Sequence, residues 1–492
     1  MRFAALACAF LLVALASSAP AVATQARSPA VVVGKMTGTG SASATDTRWK
    51  VQATDLGIMW DNGSGQILAA FGDTFGSGWA PPGGNGQDWR SQVLLRSSDR
   101  DLSDGLTFDS AATDAPGHAK QLIPSQKVDG DEITVIPTAG VSVGGRQYLA
   151  FMSVRHWGAP GQWDTNYAGI AYSDDNGENW TTTGGPRWDN PTGDDHFQMA
   201  AMARRDGFVY LYGTPNGRNG AAYVARVPET KVLDKAAYRY WDGRSWQPGP
   251  DTRAAALVDA PTAELSVQYN AYTGRWLMTY LQGSDIVLRS APAPQGPWSG
   301  TQVVASFADY PGLYGGFMHP WSSGPDLYLS LSEWTPYNTY LIRVQLGRDA
   351  TITNPNLVQD PSFERESSAW AFHGNGGFDN ATWSFTADHN AYVRYNSGWH
   401  DVHQVIPVRQ GTDYVLTGWL RTSPNSDNGF FGVRDPGGGP FREINFRAVG
   451  PWTRFTVPFS SGSRTSVEVF AGIWTDNGDM WLQIDDVAVV RR

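Results

Sequence analysis

The strongest constraint on the fold is a pattern that the chain repeats five times between Trp49 and Leu346. Each copy has an alternating strand, a tight turn that usually contains glycine, a second apolar strand and a polar outer segment. Equivalent segments lie roughly 50–75 residues apart, a spacing that suits four-stranded blades with insertions. The pattern predicts an all-β fold containing a five-bladed β-propeller. The second strands are predicted at Ile67–Phe71, Tyr148–Met152, Phe208–Tyr212, Trp276–Tyr280 and Leu327–Leu331.

Composition and one turn motif favour the same fold class. Aromatic residues make up 12% of the 492 residues, charged residues make up 17%, and there are 55 glycines. So many aromatics argue against disorder, and so much glycine argues against long helices. The segment Ser173–Trp180 fits the S-x-D-x-G-x-x-W pattern called the Asp-box, which recurs in sialidase-like propellers. We interpret it as a structural hairpin turn and not as part of an active site.

The first 23 residues have the pattern of a signal peptide. Arg2 is followed by the apolar run Phe3–Ala16, and Ala21-Val22-Ala23 fits a small-x-small cleavage site. Residues 24–45 are rich in Ala, Thr, Ser and Gly, and we interpret them as a linker. No later stretch approaches the roughly 18 apolar residues of a membrane span. We therefore expect a secreted, extracellular protein without a membrane span. The single cysteine, Cys8, lies in the apolar run, so we expect no disulfide.

The propeller is predicted at residues 46–350, and a second domain is predicted at residues 355–492. The start of this second domain, Asn356–Glu364, and its end, Ile484–Val489, resemble jelly-roll carbohydrate-binding modules of families 4 and 9. The resemblance predicts a β-sandwich that binds sugar or acts as a spacer.

Modules of that kind often hold a structural calcium ion, for which hard oxygen ligands are suited. The resemblance places the candidate ligands at Glu364 and Asp486. Solvated carboxylates without a metal are the alternative interpretation.

Two aspartates at the predicted channel mouth of blade 1 are the strongest catalytic candidates. In a hairpin that turns near Ser64, Asp55 and Asp73 are predicted to lie directly opposite each other. Directly opposed residues have Cβ atoms about 5 Å apart, and retaining glycosidases hold their two carboxyl groups about 5–5.5 Å apart. Two adjacent carboxylates also raise one pKa, which keeps one group protonated. Turn or capping acids are the alternative interpretation.

Polar and aromatic residues occupy the corresponding positions of the other blades. Carboxylates, long donors and amphipathic rings in one rim suit a sugar substrate. Each residue alone could simply be a surface residue, so the prediction depends on their coincidence across five blades. The candidate binding residues are Glu132, Arg155, His156, Trp157, Gln198, Glu264, Tyr314 and His319.

Other chemistries fit the sequence poorly. The net charge of −10 argues against nucleic acid as a partner. The sequence has no P-loop, no dinucleotide-binding fingerprint, no H-E-x-x-H and no G-x-S-x-G motif. We therefore expect no catalytic cofactor.

The segment from Asp55 to Gly76, which contains Gly-Asp-Thr-Phe-Gly, resembles glycoside hydrolase family 183. Ala263–Val267 and Gly274-Arg275-Trp276 contribute to a resemblance that covers about residues 45–346. The family was formerly a domain of unknown function, and the resemblance implies a five-bladed propeller with endo-D-arabinanase activity. The implied substrate is the α-linked D-arabinofuranose polymer of mycobacterial-type cell walls.

The resemblance further implies an anomer-retaining mechanism with two aspartates of the first blade, which fall on Asp55 and Asp73. We favour Asp55 as nucleophile and Asp73 as acid/base, with the order open. The expected protein is a monomer whose partner is a polysaccharide. The alternatives are a sialidase-like exo-enzyme, for which only Arg155 stands clearly at the rim, and a non-catalytic glycan-binding propeller.

Overall fold

A computed structural model of the chain describes residues 28–380 and 383–492, so the predicted signal peptide lies outside the described residues. The described chain begins with strand β1 (Val31–Lys35) and the short helix α1 (Thr45–Trp49). Eight strands of blade 1 and its insertions follow: β2 (Leu56–Asp61), β3 (Ile67–Phe71), β4 (Thr74–Ser77), β5 (Gln87–Arg90), β6 (Val93–Ser97), β7 (Ser110–Ala111), β8 (Thr113–Ala115) and β9 (His118–Ala119). Blade 1 has the order β2-β3-β6-β7, and β4-β5 and β8-β9 are separate two-stranded sheets.

Blades 2 and 3 are antiparallel sheets whose strands follow chain order. Blade 2 comprises β10 (Thr134–Val143), β11 (Arg146–Trp157), β12 (Trp163–Ser173) and β13 (Arg187–Asp189). Blade 3 comprises β14 (Met199–Arg205), β15 (Phe208–Thr214), β16 (Tyr223–Pro228), β17 (Arg239–Trp241) and β18 (Trp246–Gln247). Three 3-10 turns lie at Glu229–Lys231, Lys235–Ala237 and Asp251–Arg253. In the Asp-box turn, Oδ1 of Asp175 accepts from the backbone N–H of Asn179, and the Trp180 indole donates to the Gly177 carbonyl.

Blades 4 and 5 complete the ring. Blade 4 comprises β19 (Ala263–Asn270), β20 (Arg275–Gln282), β21 (Asp285–Ala291) and β22 (Gln302–Ala305). Blade 5 contains β23 (Leu313–Met318), β24 (Asp326–Glu333), β25 (Asn338–Leu346) and β26 (Ile352–Thr353). The innermost strands contact one another in the cyclic order β2, β10, β14, β19, β23 and back to β2. The all-β class and the five blades predicted from the repeat are therefore confirmed.

The N-terminal strand closes the propeller. β1 pairs antiparallel with β25, so it forms the outer strand of blade 5 although more than 300 residues of sequence separate the partners. Its valines, Val31–Val33, are buried. Joining both ends of the propeller in one sheet covers an otherwise unpaired strand edge. The described part of the predicted linker at residues 24–45 is thus structured, because its valine run supplies the missing strand of the last blade.

The C-terminal region is a sandwich of two five-stranded antiparallel sheets, with the orders β27-β30-β35-β32-β33 and β28-β29-β36-β31-β34. Its core is aliphatic and aromatic, with buried residues such as Phe363, Leu416 and Val469. The strands are β27 (Ala371–His373), β28 (Gly376–Asn380), β29 (His389–Tyr395), β30 (Gly398–Pro407), β31 (Asp413–Thr422), β32 (Gly429–Arg434), β33 (Pro440–Phe446), β34 (Thr453–Ser460), β35 (Ser466–Thr475) and β36 (Met480–Arg491).

The sandwich packs directly on blade 5. The Tyr340 hydroxyl donates to the Phe385 carbonyl, and the backbone N–H of Ala387 donates to Glu333 at 2.7 Å. Phe385 also belongs to the main apolar core of the propeller. The loop before β29 therefore fixes the sandwich against the end of β24. Within the residues that the structure describes, no helix is long and apolar enough to cross a membrane.

Candidate active site

Three innermost strands carry a β-bulge near one end of the central channel: β2, β19 and β23. The residues with positive φ at these bulges are Leu56 (69°), Gly57 (73°), Glu264 (53°) and Gly315 (63°). A bulge bends its strand and re-aims side chains, and bulges are common next to active sites. Here the bulges bring Asp55, Glu264 and Tyr314, from three different blades, into one hydrogen-bonded group.

Asp55 is held by two tyrosines of blade 5. The hydroxyls of Tyr314 and Tyr337 donate to Oδ2 of Asp55 over 3.0 and 3.2 Å. Its other oxygen, Oδ1, is buried and has no hydrogen-bond partner among the described residues. Burial raises the pKa of Asp55 to about 7, the negative charge of Asp73 adds to the rise, and the tyrosine hydrogen bonds oppose it.

Asp73 is held in a comparable way by blade 1 and blade 2. Its Oδ1 accepts from the Trp89 indole at 2.8 Å and from the Thr134 hydroxyl at 2.6 Å. Burial raises the pKa of Asp73 to about 6, while these hydrogen bonds and the positive charge of Lys127 oppose the rise. Burial thus raises the pKa values of both carboxyl groups toward neutrality.

The hairpin register differs by one residue from the register predicted from the sequence. The distal pairs have the predicted register, but the bulge between Leu56 and Ile58 shifts the end of β2. The N–H of Gly72 donates to the Asp55 carbonyl at 3.1 Å, so Asp55 lies opposite Gly72 and Asp73 is one residue further. A Cβ at Gly72 would lie only 2.2 Å from Oδ1 of Asp55. Glycine is therefore required beside the aspartate pair.

Glu264 connects blade 4 with blades 3 and 5. Its Oε1 accepts two hydrogen bonds from the Arg218 guanidinium at 2.9 and 2.7 Å, and its Oε2 accepts from the Gly315 N–H at 2.9 Å. The Arg218 guanidinium also lies 5.2 Å from the centre of the Tyr314 ring. Glu264 thus fixes both Arg218 and the bulge that carries Tyr314, which in turn binds Asp55.

The blade 2 candidates lie at the same end of the channel as Asp73. Glu132 accepts from the Ser153 hydroxyl at 2.5 Å and lies two residues before Thr134, the residue that binds Asp73. Three further candidates follow in the β11–β12 hairpin, where they form exposed contacts with blade 2 residues: Arg155 pairs with Asp164, His156 pairs with Asp129, and Trp157 packs edge-on against Trp163.

Two predicted binding residues are not available at this site. Gln198 is fully buried, where it accepts from the Thr165 hydroxyl and donates to the Trp188 carbonyl. His319 follows the far end of β23, whereas Tyr314 lies near the start of that strand, so the two occupy opposite ends of the channel. Burial lowers the pKa of His319 to about 3. Gln198 is thus enclosed by its burial, whereas His319 lies at the other end of the channel, because the sequence of a strand does not show which end faces the aspartates.

Sequence reasoning missed five residues whose side chains bind or neutralise the aspartates and Glu264: Trp89, Lys127, Thr134, Arg218 and Tyr337. Trp89 and Lys127 lie in insertions outside the repeated hairpins, so the repeated pattern gives no signal for either residue. Arg218 lies in the connection between β15 and β16, after the second strand of blade 3. Tyr337 lies in the turn between β24 and β25, after the second strand of blade 5. The turns that follow the second strands were therefore the signal that could have found Arg218 and Tyr337.

The two residues proposed as calcium ligands, Glu364 and Asp486, lie near a further buried acid, Asp485. Oε1 of Glu364 accepts from the N–H groups of Asp388 and His389, and Oε2 contacts Nδ1 of His389 at 3.0 Å. Asp486 is buried beside Tyr310, and burial raises its pKa to about 7. In residues 28–380 and 383–492, no group of three or more His, Cys, Asp or Glu could hold a metal ion. The calcium site therefore stays a prediction.

The fold and the site define a five-bladed propeller with a half-buried aspartate pair at one end of its channel. The sequence profile of a family described as "Domain of unknown function (DUF4185)" matches residues 40–343, so the chain belongs to that family. It is 36% identical over 317 residues to "Notoamide biosynthesis cluster protein J" of Aspergillus sp. (strain MF297-2), covering 60% of this chain and 83% of that protein. A second protein, J′ of Aspergillus versicolor, is 36% identical over 315 residues and covers 60% of this chain and 84% of its own length.

The chain is also similar to several solved structures with which it shares little sequence. An exo-β-1,3-galactanase from Phanerochaete chrysosporium matches 94% of this chain and 100% of its own, with a TM-score of 0.45 and 13% identity. A glycoside hydrolase family 43 arabinoxylan arabinofuranohydrolase from Bacillus subtilis matches 94% and 99%, with a TM-score of 0.38 and 12% identity. A carbohydrate-binding module, TmCBM61, matches 28% and 99%, with a TM-score of 0.25 and 18% identity.

Proposed function

We propose that the protein is a secreted glycoside hydrolase that acts with retention of anomeric configuration through Asp55 and Asp73. The observation that carries this proposal is the arrangement of the two carboxyl groups. Each has one oxygen fixed by two donors, and their pKa values of about 7 and about 6 allow one proton between them near neutral pH. One acid and one carboxylate side by side are what a retaining glycosidase requires.

The proposed reaction has two steps. In the first, the protonated carboxyl group donates its proton to the glycosidic oxygen while the ionised carboxylate attacks the anomeric carbon, which breaks the glycosidic bond and forms a glycosyl ester. In the second, the first group, now ionised, takes a proton from water, which attacks the same carbon and releases the ester. Arg218 offsets part of the negative charge around the pair, since Asp55, Asp73 and Glu264 are all acidic.

The pKa values of Asp55 and Asp73, about 7 and about 6, lie too close together to assign the acid/base and the nucleophile, so the order stays open. Azide rescue distinguishes the two orders on an aryl glycoside substrate. If Asp55 is the acid/base, Asp55→Ala with azide gives a glycosyl azide of retained configuration, because azide attacks the glycosyl ester. Asp73→Ala then gives the inverted azide by direct attack. The opposite pair of products assigns the opposite order.

The proposed substrate is mycobacterial-type cell-wall arabinan, cleaved at internal α-D-arabinofuranosidic bonds. Its support is the resemblance of the blade 1 and blade 4 motifs to glycoside hydrolase family 183, together with membership of the matching family. The test is to incubate the protein with mycobacterial arabinogalactan and to analyse the soluble products. Short D-arabinose oligomers support the proposal. Monosaccharide alone indicates an exo-enzyme, and binding without products indicates a glycan-binding propeller; either result contradicts it.

A second candidate is acid–base chemistry on a small molecule at the same aspartate pair. The observation that favours it is the 36% identity to fungal proteins named for a notoamide biosynthesis cluster. Under this candidate, polysaccharides would yield no products. Activity on a small molecule would nevertheless be lost in Asp55→Asn and Asp73→Asn. The polysaccharide assay on the wild-type protein therefore separates the two candidate functions.

A further inference from the structure

The two blades that flank blade 1 each carry one exposed tryptophan at the end of the channel that holds the aspartate pair. Trp334 follows β24 in blade 5, and Trp157 ends β11 in blade 2. Their side chains are 52% and 39% exposed, whereas most other large apolar side chains of the propeller are buried. Since blades 5 and 2 are the two neighbours of blade 1 in the ring, the aspartates lie between the two indoles.

Trp334 is held in a fixed position beside the catalytic group. The backbone N–H of Trp334 donates to the Gly312 carbonyl, and its backbone carbonyl accepts from the Gly83 N–H at 2.9 Å. Its ring packs edge-on against Tyr337 with centroids 5.8 Å apart, and Tyr337 donates to Asp55. A single side chain, that of Tyr337, therefore lies between the exposed Trp334 ring and Asp55.

Two glycines shape the pocket in which the Trp334 ring rests. A Cβ at Gly83 would lie 2.5 Å from the indole, and a Cβ at Gly312 would lie 3.1 Å from Cβ of Trp334. Both glycines also have positive φ, 78° and 75°. Any other residue would therefore be disfavoured at either position by its close contact with Trp334 and by its backbone conformation. An indole that is packed closely on one side and yet half exposed to solvent is suited to receive a flat ligand.

Trp157 is placed in relation to the other aspartate. Val154 in β11 lies opposite Thr134 in β10, and Thr134 binds Asp73. Trp157 lies three residues further along the same strand, beyond the end of β10 that carries Thr134. Its ring packs edge-on against Trp163 with centroids 5.6 Å apart, which supports it from one side.

We propose that Trp334 is the platform of a sugar subsite on the blade 5 side and that Trp157 is the platform on the blade 2 side. A polysaccharide would then cross blade 1 with sugar units bound on both sides of the bond that is cleaved. Aromatic rings bind the apolar C–H face of a sugar, and their low conformational freedom keeps the entropic cost small. This inference rests on the proposed function and extends it to the substrate's binding mode: an internal stretch of polymer.

The test compares Trp334→Ala, Trp334→Phe and the control Phe307→Ala on two substrates, D-arabinan and an aryl D-arabinofuranoside with one sugar unit. Phe307 is 47% exposed, but it follows the outer strand of blade 4, which does not adjoin blade 1. Trp334→Ala should raise the KM for the polymer about tenfold, which corresponds to about 1.4 kcal/mol. The aryl substrate should keep its KM, kcat and pH profile. Trp334→Phe should restore most of the polymer affinity, and Phe307→Ala should behave like wild type.

The proposal is overturned if Trp334→Ala and Phe307→Ala have the same KM for the polymer. It is also overturned if Trp334→Ala loses activity equally on both substrates with a changed pH profile, because that result assigns Trp334 a structural role through Tyr337. Affinity electrophoresis in arabinan separates this proposal from the function. Binding that depends on Trp334, in a wild-type protein that releases no product, supports the platform and contradicts hydrolysis. Absence of both binding and product contradicts both.

Discussion

At the scale of single residues, the proposed hydrolysis depends on how two carboxyl groups share a proton. Two opposing effects act on the pKa of Asp55: burial raises it, and the hydrogen bonds from two tyrosine hydroxyls lower it. Asp73 has a similar balance, with Lys127 as an additional favourable charge for the ionised form. Only the singly protonated pair has both an acid and a nucleophile, so activity should depend on pH on both sides of neutrality.

The pH profile of kcat/KM should be bell-shaped, with an acid limb near pH 6 and an alkaline limb near pH 7. Below the acid limb both aspartates are protonated, and above the alkaline limb Asp55 has lost its proton. Tyr337→Phe removes a hydrogen bond that favours ionised Asp55, so the alkaline limb should move up by about one pH unit. The acid limb should stay in place. An alkaline limb that stays in place or moves down would show that Tyr337 does not control Asp55.

At the scale of structural elements, the hairpins were predictable and their ends were not. The second strands named from the sequence lie within β3, β11, β15, β20 and β24, because apolar runs between glycine-rich turns are a local signal. The bulge at Leu56–Gly57 shifted the predicted pairing by one residue, since it depends on contacts with blade 5 such as the Leu56 carbonyl with the Ser330 hydroxyl. His319 was misplaced for a related reason: a strand's sequence does not tell which end faces the site.

Gly72→Ala tests whether the end of the hairpin positions Asp55. Gly72 lacks the positive φ that would exclude alanine, so the backbone tolerates the change, but the new methyl group would displace Oδ1 of Asp55. A displacement of this size should lower kcat about 100-fold while the protein still unfolds cooperatively. Gly300→Ala is the matched control, because a Cβ there meets nothing within 4 Å. Equal kcat values for the two variants would remove Gly72 from the positioning of Asp55.

At the scale of the whole molecule, two contacts over long sequence distances organise the chain. β1 closes blade 5, and the sandwich packs against the same blade through Tyr340 and Glu333. Neither contact could be predicted from the sequence, because residues 24–45 have the composition of a linker and a single sequence does not show which remote segments pair. The resemblance of the C-terminal region to jelly-roll modules predicted a β-sandwich but not its docking on blade 5. Blade 5 therefore connects the sandwich, through the β24–β25 turn, with Tyr337 at the active site.

The contact between propeller and sandwich should weaken as pH rises. Burial raises the pKa of Glu333 to about 8; the Ala387 N–H and Lys35 oppose the rise, and Asp486 and Asp388 add to it. An acid whose folded pKa exceeds its unfolded pKa loses stability as pH rises from the unfolded value, about 4.5, to the folded value. Glu333→Gln keeps the acceptor for Ala387 and removes this loss. Its Tm should exceed that of wild type at pH 8 and equal it at pH 4.5. A lower Tm at pH 8 would show that ionised Glu333 stabilises the interface.

The most direct test of the proposed function is the release of oligosaccharides from D-arabinan by wild type, Asp55→Asn and Asp73→Asn, measured side by side with the Tm of each protein. Wild type should release D-arabinose oligomers. Each variant should remain folded and lose activity by about 100-fold or more, because each removes one of the two groups that the reaction requires. Near-wild-type turnover in both folded variants, or no oligomers from wild type, would contradict a glycosidase that works through this aspartate pair.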